Sequence, residues 1–230
     1  PHKPDPGMLN QAMTRSWLAT DTVRYVGEPI AVILTEEHNQ GEDAAELVIV
    51  DYDPLPVVVE PEAALTGSDL LFPDAGTNVC LELRFGRDET VLEGSEVVVE
   101  QRIRNQRVAP CPLEVRAGAA KWESDGRLTQ WSSTQTPHAV RDEIAKSYGL
   151  DNEQVHVIAP DVGGGFGAKI GNYPEEMLLP RLAKESGRAV RWVETRTESM
   201  LNLGHGRGQI QDMSLGGDRD GTINGLRFEI

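Results

Sequence analysis

The chain has 230 residues, enough for one large or two smaller domains, and 39% of them are hydrophobic, enough to build real cores. Its formal net charge of −15 speaks against nucleic acid and anionic membranes as partners, since both attract basic surfaces, and the acidic balance reads as solubility. No apolar stretch approaches the ~18 residues of a membrane span and no secretory signal opens the chain. Its 2 cysteines are too few for a disulfide framework or, alone, for an iron–sulfur cluster, so a cytoplasmic protein is the simplest fit.

Residues 1–20 carry Pro1, Pro4, Pro6 and Gly7 without periodicity and read as an extended arm. Residues 30–35 read as a buried strand. Thr35 can cap a following helix, with Glu36 and Glu37 at its positive end and Ala44, Ala45 and Val48 as its buried stripe. Pro54 and Pro56 then kink the path ahead of Val57-Val58-Val59, which completes a small α/β unit over 21–66. Gly67, Pro73, Gly76, Gly86 and Gly94 mark 67–94 as a linker, and a second domain occupies 95–230. That domain opens with the apolar strand pattern of 97–103, broken at Pro110-Cys111-Pro112, where Cys111 is expected as a small buried residue.

Further along, Ala119-Ala120-Lys121-Trp122 and Leu128-Thr129-Gln130-Trp131 predict a hairpin across Asp125-Gly126. Thr136 and Pro137 start a helix whose apolar positions Val140, Ile144 and Tyr148 recur every four residues, and Gly149 ends it. Val155-His156-Val157-Ile158-Ala159 reads as a strand. A second helix runs from Pro174, with Glu175 and Glu176 in its first turn, to Gly187; Pro180 is expected to kink or split it. A strand over 189–193 and a final hairpin at Asp220-Gly221 follow, with Leu226, Phe228 and Ile230 on one face of the last strand. The chain begins without methionine and stops inside a strand pattern, which reads as a piece of a longer polypeptide.

Between that Val155 strand and the second helix lies Gly163-Gly164-Gly165-Phe166-Gly167-Ala168-Lys169. Glycines in such density let a backbone turn sharply and present bare N–H groups to an anion, a phosphate or a phosphate-bearing cofactor. A P-loop needs glycine before the lysine and Ser or Thr after it; Ala168 and Ile170 occupy those places. Gly163-x-Gly165-x-x-Ala168 fits a dinucleotide fingerprint, but Gly171 and Pro174 interrupt the helix that should follow, and Glu194 comes late for a ribose ligand. Lys169 reads as a solvated lysine and His205 as a structural histidine, and G-x-S-x-G is absent.

A third reading uses more of the chain. Trp131-Ser132-Ser133-Thr134-Gln135-Thr136-Pro137-His138, the helix, the strand and then the glycine cluster, in that order, resemble the molybdenum-binding large subunit of the xanthine dehydrogenase, aldehyde oxidase and aerobic carbon monoxide dehydrogenase family. Val23-Arg24-Tyr25-Val26-Gly27-Glu28-Pro29-Ile30-Ala31-Val32 and Val50-Asp51-Tyr52-Asp53-Pro54-Leu55-Pro56 resemble its small hammerhead domain. The resemblance implies a mixed α/β fold: a hammerhead-type α/β domain, then the first part of a molybdopterin-binding α/β domain. It implies a molybdenum–molybdopterin cofactor in cytosine dinucleotide form and hydroxylation with water-derived oxygen. Electrons would leave through 2Fe-2S clusters on a small subunit to FAD on a medium subunit, in a dimer of heterotrimers.

On the same ground Gln135 corresponds to the family's glutamine near a metal oxygen ligand, and Gly164, Gly165, Phe166 and Gly167 to the loop beside the metal centre. An amide N–H suits an oxygen ligand because it donates without adding charge. Purine-hydroxylating relatives carry glutamate after the corresponding lysine; Ile170 stands there, which is closer to the carbon monoxide dehydrogenase-like branch. The family's catalytic glutamate belongs to the far part of the large subunit, so no catalytic or metal-ligating residue is assigned in this chain and the chain alone is expected to be inactive. An aldehyde oxidoreductase subunit and a non-catalytic assembly module that kept the fold are the alternatives.

Overall fold

The computed structural model describes residues 7–86 and 90–230. Residues 1–6 of the expected arm and 87–89 of the expected linker lie outside the described residues. The chain divides into two compact units, one made of 1–82 and 112–202, the other of 83–111 and 203–230.

The first unit carries a four-stranded sheet. A hairpin joins β2 (Ala117–Trp122) to β3 (Leu128–Ser132), with Gly126 at φ 86° in the turn, where only glycine is at ease. Parallel to β3 lies β4 (Val155–Ile158), and parallel neighbours need a crossover, here α3 (Pro137–Tyr148). β5 (Val190–Val193) pairs antiparallel with the other side of β2, giving the order β4-β3-β2-β5. A second helix, α4 (Pro174–Ser186), packs over β2 and β5. Both helices end on a left-handed glycine, Gly149 and Gly187 (φ 65° each).

The core lies between helices and sheet: Ala120, Leu128, Val140, Ile144, Val155, Met177, Leu179, Ala183 and Val190 are all buried. The approach of α4 is set by small residues on β2. A Cβ on Gly118 would lie 2.7 Å from Leu179 Cδ1, so glycine there lets the helix settle onto the strand. Pro180 neither splits nor ends α4, which runs through it. Proline removes the N–H that would meet the Glu176 carbonyl, and Gln130 Nε2, on β3, donates to that carbonyl at 3.2 Å instead. Tyr148 Oη donates to the next carbonyl, that of Met177, at 2.6 Å.

The early part of the chain departs from expectation. Residues 30–35 and 48–59 form no strand ladder; the helices there are α1 (Gln40–Ala45), which starts at Asn39 rather than Thr35, and α2 (Pro61–Thr66). Val48 is exposed and Ala44 and Ala45 are not buried, so the expected stripe has no partner face. A β-pattern becomes a strand only beside another strand, and these segments find none among the described residues.

In the second unit, β1 (Val97–Asn105), β6 (Gln209–Gly217) and β7 (Ile223–Glu229) form an antiparallel sheet of order β1-β6-β7. Gly221 turns the β6–β7 hairpin at φ 95°, as Asp220-Gly221 predicts. A short helix, α5 (Arg196–Asn202), follows β5 in the first unit.

Candidate functional site

Because β3 and β4 run parallel, their carboxyl ends lie side by side, the place where open α/β sheets bind ligands. The segment after β3 is Ser133-Thr134-Gln135; the glycine cluster follows β4. Two motifs nearly 30 residues apart in sequence therefore meet at one sheet edge.

Backbone and side-chain hydrogen bonds fasten them. Gln135 N and Thr134 Oγ1 both donate to the Lys169 carbonyl, at 2.9 and 3.1 Å. Thr136 Oγ1 donates to the Ile170 carbonyl at 2.9 Å. The Gln135 side chain folds over the loop, and its Oε1 accepts from Gly167 N at 3.0 Å and Lys169 N at 3.2 Å. With the oxygen occupied by two N–H groups, the amide orientation is fixed, and Nε2 of this exposed residue has no acceptor among the described residues.

Three loop positions need glycine or tolerate strain for different reasons. Gly165 lies directly under the Gln135 side chain, and a Cβ there would overlap Gln135 Oε1. Gly164 has φ 102° and is flanked by the Phe166 ring and Pro112. Phe166 itself is left-handed at φ 51° and 73% exposed. A bulky residue held in that conformation stores strain, of the kind concentrated at binding loops. Among the described residues, the N–H groups of Gly164, Gly165 and Phe166 find no acceptor within the chain. The N–H of Gly167 is already taken by Gln135.

All five expected residues, Gln135, Gly164, Gly165, Phe166 and Gly167, thus come together. Lys169 is corrected: it is not solvated but 1% exposed. Its Nζ donates to the Glu114 carbonyl at 2.9 Å, to Glu114 Oε2 at 2.7 Å and to Ser133 Oγ at 2.8 Å. Glu114 Oε2 also accepts from Ser133 Oγ and Gly163 N, each at 2.8 Å. Partial burial pushes the Glu114 carboxyl up, but the bonds from Lys169, Ser133 and Gly163 outweigh it and hold the group below the usual carboxylate range. Sequence reasoning missed Glu114 and Ser133 because nothing local marks a partner 55 positions away.

Behind the loop, Arg116 is fully buried. It pairs with Glu194 at 2.7 Å and Glu175 at 3.2 Å, its guanidinium 4.0 Å from the Tyr173 ring centroid. Glu194 is therefore committed to Arg116 rather than free to meet a ribose. Cys111 is corrected as well: it is exposed, with φ 52°, because flanking prolines fix the backbone and leave no core for it to enter. Among the described residues no group of three His, Cys, Asp or Glu side chains is placed to hold a metal ion, and no helix is long and apolar enough to cross a membrane.

Comparison with known proteins gives this geometry a context. Residues 71–230 match the molybdopterin cofactor-binding domain, and residues 1–56 match the a/b hammerhead domain of aldehyde oxidase and xanthine dehydrogenase. The nicotine 6-hydroxylase large subunit of Paenarthrobacter nicotinovorans is 37% identical over 94% of this chain and 27% of its own length. The structure of quinoline 2-oxidoreductase from Pseudomonas putida 86 superposes with a TM-score of 0.84 at 36% identity, covering 94% of this chain and 28% of that one. Reconstituted CO dehydrogenase from Oligotropha carboxidovorans gives 0.86 at 30% identity, over 99% of this chain and 30% of that one. The chain spans less than a third of the length of these relatives.

Proposed function

The chain belongs to the molybdopterin-binding large subunits of the aldehyde oxidase and xanthine dehydrogenase family; on that premise we propose that the Gln135–glycine-loop site forms one wall of a molybdenum–pterin pocket. The reaction is hydroxylation of a small, electron-poor substrate with oxygen from water. When bound, the cofactor supplies a redox metal that takes two electrons from the substrate.

What this chain's residues contribute follows from their donors. The observation that carries the reading is the fixed amide of Gln135: with Oε1 held by Gly167 N and Lys169 N, Nε2 is left as a neutral donor with no acceptor among the described residues. The open N–H groups of Gly164, Gly165 and Phe166 add donors beside it. A donor-only, uncharged set of this kind fits the oxygen ligands and phosphates of an anionic cofactor. Phe166 and Ile170, both more than half exposed, offer an apolar border with no group to grip a polar purine edge. That border and the names of the similar nicotine, quinoline and carbon monoxide enzymes favour a small or aromatic, weakly polar substrate.

The wider assignment is of the same standing. The cofactor is in its cytosine dinucleotide form. A medium subunit binds FAD and a small subunit carries 2Fe-2S clusters, in a cytoplasmic dimer of heterotrimers. A hammerhead-type part over 21–66 and a cofactor-binding part over 95–230 are joined by 67–94, a division that the separate matches to 1–56 and 71–230 support. The test is purification of the intact protein with its partners, metal analysis, and turnover of carbon monoxide, aldehydes and N-heteroaromatics with an artificial electron acceptor. Molybdenum near one atom per subunit with turnover of one class is expected; a protein without molybdenum ends the reading.

A further inference from the structure

The side chains of Lys169 and Glu114 are not among the open donors of the proposed pocket, yet they bond to each other and to the segments that build it. We propose that they are positioning residues, a buried bracket that sets the Gln135 amide and the glycine loop in the arrangement the cofactor requires. The inference rests on the molybdenum-pocket reading for its purpose but not for its geometry.

The bracket grips the loop at both ends. At its start, Glu114 N donates to the Gly163 carbonyl at 3.1 Å and Glu114 Oε2 accepts from Gly163 N at 2.8 Å, so both backbone groups of Gly163 are held by one residue. The approach is close enough that a Cβ on Gly163 would lie 2.5 Å from Glu114 Cβ. At its far end, Lys169 Nζ spends its three protons on the Glu114 carbonyl, Glu114 Oε2 and Ser133 Oγ. The backbone of the same lysine then meets Gln135 twice: Lys169 N donates to Gln135 Oε1 and the Lys169 carbonyl accepts from Gln135 N. A shift of the lysine therefore moves one of the two N–H donors that fix the Gln135 amide.

Energetics favour a positioning role over simple stabilisation. Burying an ammonium is costly, and a buried ion pair seldom outperforms well-packed apolar residues of similar volume. A lysine with a 0% exposed side chain beneath a surface loop is better explained by arrangement than by stability. Groups one shell away from a bound metal centre commonly change its retention by about 10–100-fold when removed.

The test uses the intact protein and the variants Lys169→Met, Gln135→Ala and Lys169→Met/Gln135→Ala. The charge-neutral Glu114→Gln/Lys169→Met covers the case in which a half-buried carboxylate left without its lysine prevents folding. Two readouts are taken: hydrogen exchange of the peptide spanning 163–170, and molybdenum retained after gel filtration. Lys169→Met is expected to speed exchange of that peptide about tenfold or more while β2 and β3 peptides stay unchanged, and to weaken molybdenum retention by roughly 10-fold or more. Because Lys169 acts through Gln135, its substitution adds no further loss of molybdenum when Gln135 is already alanine. Exchange and retention both as in wild type would overturn the bracket, as would losses from Lys169 and Gln135 that multiply independently. If the wild-type protein holds no molybdenum, the functional reading falls alone, and loop exchange still decides for or against the bracket.

Discussion

Gly165 has no room for a side chain, and the missing room belongs to Gln135. An added methyl would overlap Gln135 Oε1, so Gly165→Ala forces the amide off the loop and frees the N–H groups of Gly167 and Lys169. Faster exchange at those two amides and loss of molybdenum from the intact protein are expected, with little change in helix content. Gly167→Ala is a different lesion. Nothing lies within 4 Å of its added methyl, but φ is 88°, and a left-handed alanine costs about 1–2 kcal/mol. It should lower stability while keeping the Gln135 bonds. Equal exchange in Gly165→Ala and wild type would contradict the overlap. The loop and the glutamine that folds over it stood out in the sequence because their residue types are conspicuous: a glycine run, an aromatic among it, and an amide at a helix entry. Lys169 was misread because a lysine's environment is a tertiary property; only the fold brings Glu114 and Ser133 to it.

Helix α4 carries an interior proline at an expense of one backbone hydrogen bond, and β3 makes good the loss. Gln130 is fully buried and donates to the Glu176 carbonyl that Pro180 leaves open. Gln130→Leu removes that donor, at about 1–3 kcal/mol for an unpaired buried carbonyl. It also removes Gln130 Oε1, itself buried without a partner, so the net loss is expected near 1 kcal/mol. Adding Pro180→Ala restores an N–H at the right place and should recover most of it, as read from denaturant midpoints. If Pro180→Ala gives no recovery in the Gln130→Leu background, the carbonyl is not the cause. The end signals of α3 and α4, the two hairpin turns and every strand but β6 were legible because each has a local signal in backbone preference or hydrophobic pattern. The persistence of α4 through Pro180 was not, because the replacement donor comes from β3, 46 residues earlier.

At the scale of the whole molecule, the acidic excess is not confined to the surface, since Glu176 and Glu194 are buried. Glu175, Glu176 and Glu194 surround Arg116, which pairs with the first and last. Burial pushes the Glu176 carboxyl up to about 7; Arg116 and the Tyr173 N–H pull it down, and Glu175 and Glu194 push it further up. Between the ordinary carboxylate range and about pH 7 the folded chain keeps a proton that the unfolded chain releases. This contribution to stability is therefore complete at the acid end of that window and is lost as pH rises through it. The difference in unfolding midpoint between wild type and Glu176→Gln should shift against wild type from pH 5 to about 7.5. A pH-independent difference would mean that the carboxyl is ionised throughout. Glu114 acts in the opposite sense: its folded-state value is lowered, so its contribution is present above the ordinary range and lost as pH falls.

The amino-acid sequence by itself determined the ends of α3 and α4, the two hairpin turns, the glycine loop, its glutamine and the mixed α/β class, since these follow from backbone freedom and hydrophobic period. The tertiary structure decided which strands find partners. It paired β1 with β6 across more than a hundred residues, and left 30–35 and 48–59 without ladders. It also decided that β3 and β4 end together, and so that Gln135 closes over the glycines. The burial of Lys169 was decided there too, because the free energy of a buried charge depends on partners that lie far away along the chain.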